Sequence, residues 1–418
     1  METDKLTPKD LRPFADLGTS VEVIEAEFRL TSNERNITIA RDNAGYVISA
    51  DGQTRRYPGV GAVLASPMFA DLPKVARNQV ALLKPKRMTG RPVPISCGMT
   101  VIEGQFPGWS DSEKPWEGLD GWLRAVQSSR QPNGTDFLLI DGPAGVGKTT
   151  IVREAALARA EAYDGSAPLI LQVVSRGRVL QNIPDLIAFA LQDVRSNLTV
   201  SQLIVLMRHG LVTLAIDGFD ELSDPNGFET AWSGLNGLIG EARGAATFLL
   251  AGRETFVSTD TMRKQLTSFK ADRDRLASLS LADPDSNAAR EWLLEQNGWS
   301  HELLRKEFVE PIFVKGSYAL RPFFLHLISR EPEAFASDQP PASDLLTYLV
   351  DTMSRREAKK FVETLDPPDG SNVEAKFELY VGRFLEEVAR DLAENQSEAL
   401  GDDALDLLAR VAADGLLP

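Results

Sequence analysis

The chain has 418 residues, room for about two to four domains, and its 43% hydrophobic and 25% charged residues are ordinary for a globular protein. A net charge of −15 disfavours non-specific binding of nucleic acid or anionic membrane by the body as a whole. No apolar run has the length of a membrane span, and the polar start Met1-Glu2-Thr3-Asp4-Lys5 lacks a secretory h-region, so a cytoplasmic protein without membrane contact is expected. The single cysteine, Cys97, excludes an intrachain disulfide and reads as a small buried hydrophobe. The three histidines, His209, His301 and His326, are scattered, which argues against zinc.

Residues 1 to about 17 read as a polar, partly ordered lead-in. From Ser20 the period is two: Ile24, Ala26, Phe28 and Leu30 alternate with Glu25, Glu27 and Arg29, as in a half-buried strand. A second strand is expected over Asn36–Arg41. Tyr46–Ile48 and Thr54–Tyr57 flank Asp51-Gly52, a hairpin turn signal. With a short helix over Leu72–Leu83, residues 1–105 form a β-rich N-terminal domain whose role the sequence does not reveal; structural support or partner docking is the plain reading. Lys84, Lys86, Arg87 and Arg91 make a basic run broken by prolines and without interleaved aromatics, so a solvated linker suits it better than a nucleic-acid contact. Residues 106–118 are loop-like. Leu119, Trp122, Leu123 and Val126 then share one helical face.

The next stretch carries chemistry. Phe137-Leu138-Leu139-Ile140 suits a buried parallel strand, and Gly142-Pro143-Ala144-Gly145-Val146-Gly147-Lys148-Thr149 fits the phosphate-binding pattern GxxxxGK[ST]. Thr150 and an alanine-rich helical segment follow. Glycines let backbone N–H groups curl round a polyphosphate, and the helix N-terminus adds partial positive charge. Lys148 can reach the β- and γ-phosphates, and the Thr149 hydroxyl can ligate Mg²⁺.

Beyond it, apolar runs alternate with helical spacing. Leu169–Val174, Leu211–Ile216, Thr247–Ala251 and Leu276–Leu281 read as strands; Pro184–Leu191, Ser201–Met207 and Phe228–Ile239 read as helices. With Phe137–Ile140 this makes five strands of a parallel α/β sheet, whose ligands lie at the strands' carboxyl ends. Asp217 ends one strand and is placed to hold Mg²⁺ through water; Asp220 and Glu221 follow, either of which could deprotonate an attacking water. Thr247–Ala251 runs into Gly252-Arg253-Glu254-Thr255, where Arg253 could contact a γ-phosphate.

Asp217-Gly-Phe-Asp220-Glu221-Leu resembles the extended Walker B motif of NACHT nucleotidases, members of the STAND signal-transducing NTPases within the AAA+-like P-loop class. Gly252-Arg253-Glu254 resembles their sensor 1 segment, although Ala251-Gly252 stands where Ser or Thr is usual. Ser280–Pro284, with the helical Ala288–Gln296, resembles the entry to their lid, and Arg321-Pro322-Phe323-Phe324-Leu325 the lid proline beside the nucleotide base. The resemblance implies strand order 5-1-4-3-2, a core over 119–282, a helical lid over 283–335, and bound ATP or GTP with Mg²⁺. It also implies a slow switch that controls self-association, in signalling or anti-phage or innate-immune defence. A ring-forming AAA+ motor and a nucleotide-stabilised scaffold are the alternatives. Residues 336–418 read as helical, with stripes at Phe377, Tyr380, Val381, Phe384, Leu385, Val388 and Leu392 and at Leu405, Leu408, Val411 and Ala412. With no repeating period and an end at Gly415–Pro418, a truncated region is expected, and a protein partner through either terminal region. Base preference, trigger and oligomeric state are not legible.

Overall fold

The computed structural model describes the chain apart from residues 1–4, 26, 88–89, 105–117, 131–132, 176–182, 223–227, 254–263, 338–341, 366–372, 395–401 and 415–418. The chain divides into two units, Met1–Ala282 and Asp283–Pro418. Ala26, most of the expected linker 106–118, Glu254, Thr255 and the final four residues thus lie outside the described residues. Among the described residues no helix is long and apolar enough to cross a membrane.

The expected polar lead-in is an anchor instead. Helix α1 (Pro8–Leu11) buries Leu11, with Leu6 and Phe14 buried beside it. Asp10, only 4% exposed, lies 3.1 Å from the guanidinium of Arg208 and 3.1 Å from His209 Nε2. One helical turn is unstable alone, so these contacts hold it.

Five antiparallel strands follow as a meander: β1 (Glu22–Ile24), β2 (Glu27–Ser32), β3 (Arg35–Asp42), β4 (Gly45–Ala50) and β5 (Gln53–Tyr57). The single strand expected over Ile24–Leu30 is two. Glu25 takes φ 57° and the chain reverses, pairing Val23 with Phe28. Alternation survives a tight reversal, so period alone does not expose it. Asp51 and Gly52 have φ 53° and 74° and close the β4–β5 hairpin with Ala50 opposite Gln53, as a primed two-residue turn requires. Helices α2 (Val60–Ala65) and α3 (Leu72–Leu83) complete this part, α3 capped by the Asp71 carboxylate.

The second sheet contains β6 (Ser96–Glu103), β7 (Asp136–Asp141), β8 (Leu169–Val174), β9 (Val212–Asp217), β10 (Thr247–Ala251) and β11 (Arg275–Ala282). Its order is β6-β11-β7-β10-β9-β8. The last five are parallel neighbours, and β6 pairs antiparallel with β11. The five expected strands are thus parallel neighbours in the order 5-1-4-3-2, and the unexpected antiparallel β6 makes the sheet mixed and six-stranded. Its sixth strand comes from the stretch assigned to the N-terminal domain. Every residue of β7, β9 and β10 is buried, as strands covered on both faces must be.

Helices α4 (Gly118–Ser128) and α5 (Lys148–Glu161) cover one face, where Trp122, Leu123, Val152 and Leu157 meet Leu138, Ile140 and Leu249. Helices α6 (Ile183–Asp193), α7 (Val200–Arg208) and α8 (Phe228–Ala242) serve the other face. There Leu203, Leu206 and Trp232 share one hydrophobic cluster with Leu11, Phe14, Ile39 and Leu64. The β-rich part is thus built onto the α/β core. In the basic run, Arg87 pairs with Glu154 and Glu161 of α5 at 3.6 and 3.4 Å. At the amino end of β7, the fully buried Asp136 accepts from Arg130 at 2.7 Å and Arg275 at 2.8 Å. Two guanidiniums offset the cost of burying that carboxylate.

The second unit opens with α9 (Ser286–Leu294), whose cap Asp285 accepts from the N–H groups of Asn287 and Ala288. Helices α10 (Pro322–Ser329) and α11 (Pro332–Ala336) follow, with Trp292, Trp299, Phe313 and Phe335 buried. The longer α12 (Leu345–Leu365), α13 (Val373–Glu394) and α14 (Asp402–Asp414) complete it. The stripe expected to be core on α13 is at most half-buried; no residue of that helix is buried.

Candidate functional site

The site is built where β7, β9 and β10 end. After β7 the loop uses three glycines for separate reasons. Gly142 has φ 148°, and a Cβ there would stand 2.5 Å from the Leu281 carbonyl oxygen. Gly145 and Gly147 have φ 82° and 103°, open to glycine at little cost. Val146, 1% exposed, pins the loop to the core. Helix α5 begins at Lys148, and no side chain caps it. Its first N–H groups lack intrahelical acceptors, and a helix start left in that state can receive an anion. Lys148 Nζ donates to the carbonyls of Gly142 and Pro143 at 2.6 and 3.0 Å, so its ammonium sits over the loop. Burial lowers its pKa below the usual lysine value, and the charges of Asp220, Asp217 and Asp141 oppose that shift.

The acids come from the next turn. Asp217, 3% exposed, ends β9 and accepts from the Thr149 hydroxyl at 3.1 Å through Oδ1. Its Oδ2 accepts from Gln172 Nε2 of β8 at 2.9 Å. Gly218 then takes φ 75° and donates to the Ala251 carbonyl at 3.0 Å. Phe219 buries its ring edge-on to Trp232 with centroids 4.7 Å apart. This anchored turn sets Asp220, whose side chain is 7% exposed, 3.2 Å from Arg253 Nε. The Arg253 side chain is 60% exposed and follows β10 directly. The Glu221 side chain lies outside the described residues.

A hydroxyl and a carboxylate in contact are hard oxygen donors, which Mg²⁺ takes together with phosphate oxygens rather than from an all-protein cage. The glycine loop, uncapped helix and lysine fit a polyphosphate. The residues present thus fit both groups.

Residues 136–281 match the NACHT domain family. This segment is a NACHT domain. No curated protein matches the chain. Among solved structures, the Orc1 protein of Aeropyrum pernix, solved in complex with DNA, is 15% identical, with 71% of this chain and 81% of that one covered at a TM-score of 0.38. Cdc6p from Pyrobaculum aerophilum is 13% identical over 73% and 83%, at 0.32. The Drosophila ORC bound to GC-rich DNA and Cdc6 is 12% identical over 64% and 51%, at 0.35. Likeness at these scores carries nothing about partners.

The NACHT segment brings Gly142–Thr150, Asp217, Asp220 and Arg253 to one end of the sheet. Pro322 opens α10 in the second unit. Two features were not singled out from the sequence. Gln172 interrupts the apolar run Leu169–Val174, a visible polar break. Asp141, last in β7, accepts from Ser278 at 2.5 Å and Ser280 at 3.1 Å on β11, serines that alternate with Leu276, Ala277, Leu279 and Leu281 in the sequence. Cys97, read as a small buried hydrophobe, is only half-buried; burial, then the Asp141 charge, push its pKa up to about 12.

Proposed function

We propose that the chain is a nucleotide-dependent switch that binds ATP, or GTP in its place, with Mg²⁺, hydrolyses it slowly and couples the bound nucleotide to self-association. The observation that carries this reading is the convergence of Lys148, Thr149, Asp217, Asp220 and Arg253 on one glycine loop. The N–H groups of Gly142–Thr150 cradle the phosphates, and Lys148 neutralises β- and γ-oxygens. Thr149 would hold the metal directly and Asp217 through water, and Mg²⁺ would supply charge neutralisation and orientation of the phosphates. Asp220 or Glu221 takes the proton of the attacking water. Arg253 contacts the γ-phosphate in competition with the Asp220 carboxylate at 3.2 Å. The N-terminal or C-terminal region engages a further protein, in a signalling role of the defence type. DNA binding is not part of this reading, given the charge of −15.

The test is the nucleotide that co-purifies with the full chain, followed by steady-state hydrolysis across protein concentrations. Tightly held ADP with slow, concentration-dependent turnover supports a switch. Freely exchanging nucleotide with rapid turnover points to a motor, and stable binding without turnover to a scaffold.

A further inference from the structure

Strand β8 pairs with β9 so that Gln172 lies opposite Ala215 and Val174 opposite Asp217. Gln172 and Asp217 are therefore diagonal neighbours on one sheet face, within reach of a long side chain. The Gln172 amide donates to Asp217 Oδ2 at 2.9 Å, while Oδ1 accepts from Thr149 at 3.1 Å. The two oxygens of one nearly buried carboxylate are thus held from different elements, the strand β8 and the helix start after the glycine loop. Leu171 and Val173 point to the opposite face of the sheet, and on its own face the half-buried Gln172 reaches the carboxylate of Asp217. The amide serves the carboxylate.

We infer that Gln172 is a positioning residue for the metal: it fixes the Asp217 carboxylate so that Oδ1 faces the Thr149 hydroxyl and the water shell of Mg²⁺. The inference rests on the nucleotide reading above. Mg²⁺ demands near-ideal octahedral geometry, so a carboxylate free to rotate serves it poorly. Disturbing the groups that hold a metal's outer shell in place typically costs about 10–100-fold in metal affinity.

The experiment uses the full chain, a non-hydrolysable ATP analogue and Mn²⁺ as the probe, with free Mn²⁺ read by electron paramagnetic resonance. Gln172→Met keeps length and loses the donor. Gln172→Asn keeps the amide but falls one methylene short. Both should raise the Mn²⁺ half-saturation about 10–100-fold, and leave analogue affinity in EDTA within about twofold of wild type, since the loop itself is untouched. An unchanged half-saturation in whichever variant melts like wild type overturns the inference. So does an equal loss in EDTA, which would mean the glutamine supports the loop rather than the metal. If the wild-type chain binds no analogue under either condition, the nucleotide reading falls and takes this inference with it. If the wild type shows metal-dependent binding that the variants match, only the role of Gln172 falls.

Discussion

Lys148 sits with its ammonium on the carbonyls of Gly142 and Pro143, a point charge held over the loop. Lys148→Ala removes it and should abolish triphosphate binding, as calorimetry with a non-hydrolysable analogue would record; unchanged affinity would move the site elsewhere. Arg253 poses a sharper question because it already has a partner in Asp220. A structural ion pair at 60% exposure contributes little to stability. A contact to γ-phosphate is instead a charge-assisted hydrogen bond, about 1.5–3 kcal/mol. Arg253→Ala should therefore weaken triphosphate binding about 10–100-fold and leave diphosphate binding nearly unchanged. Equal losses for the two nucleotides would reduce the arginine to a structural partner of Asp220.

Among the elements, α1 depends most on one residue. Burial alone would raise the Asp10 pKa; the His209 imidazole 3.1 Å away and the hydrogen bonds from Thr7 outweigh it and hold the carboxyl at about 2. A carboxyl depressed in the folded state contributes stability that is fully present above its unfolded value near 3.8 and is lost as pH falls toward 2. Docking of α1 on Arg208 and His209 should thus weaken between those values. Asp10→Asn should cost about 3 kcal/mol at neutral pH, because it leaves a largely buried guanidinium without its acid, and should flatten the acid limb in that window. Urea unfolding at several pH values checks both; parallel curves for mutant and wild type would remove Asp10 from the anchor. The partner of Asp10 lies 198 residues away, which is why the anchor was not legible in the sequence. The glycine loop and Asp217 were legible because phosphate and metal chemistry demands those residue types at fixed local offsets. The five parallel strands were legible as apolar runs. Strand β6 was not: Cys97, Met99 and Val101 alternate with Ser96, Gly98 and Thr100 just after a proline-broken basic run, and the hydrogen bonds that make it a strand belong to β11. Gln172 shows the same limit at one position, since its meaning rests on the register of β8 against β9.

At the scale of the whole molecule, the switch reading predicts that binding and turnover separate. Glu221→Gln keeps the size of the side chain and removes its carboxylate. It should retain triphosphate and lose about 10²–10⁴-fold in hydrolysis, the usual worth of a general base. The trapped protein should then scatter more light with triphosphate present than wild type does. Wild-type hydrolysis in both Glu221→Gln and Asp220→Asn would leave the acidic turn as a solvated loop. Wild-type scattering in a hydrolysis-dead variant would detach nucleotide from self-association.

The strand order has a consequence for how the chain is made. The β1–β5 meander closes through neighbours in sequence, so it can form while the ribosome is still adding residues. Strand β7 cannot: its two neighbours are β10 and β11, and Asp136 waits for Arg275, 139 residues later. Until then the backbone groups along its two edges have no strand to pair with, and Leu281, whose carbonyl lies against Gly142, is not yet made. Within Met1–Ala282 the pocket is therefore among the last features to assemble. During synthesis the hazard is a central strand with both edges unpaired, and no bound nucleotide can shorten that wait.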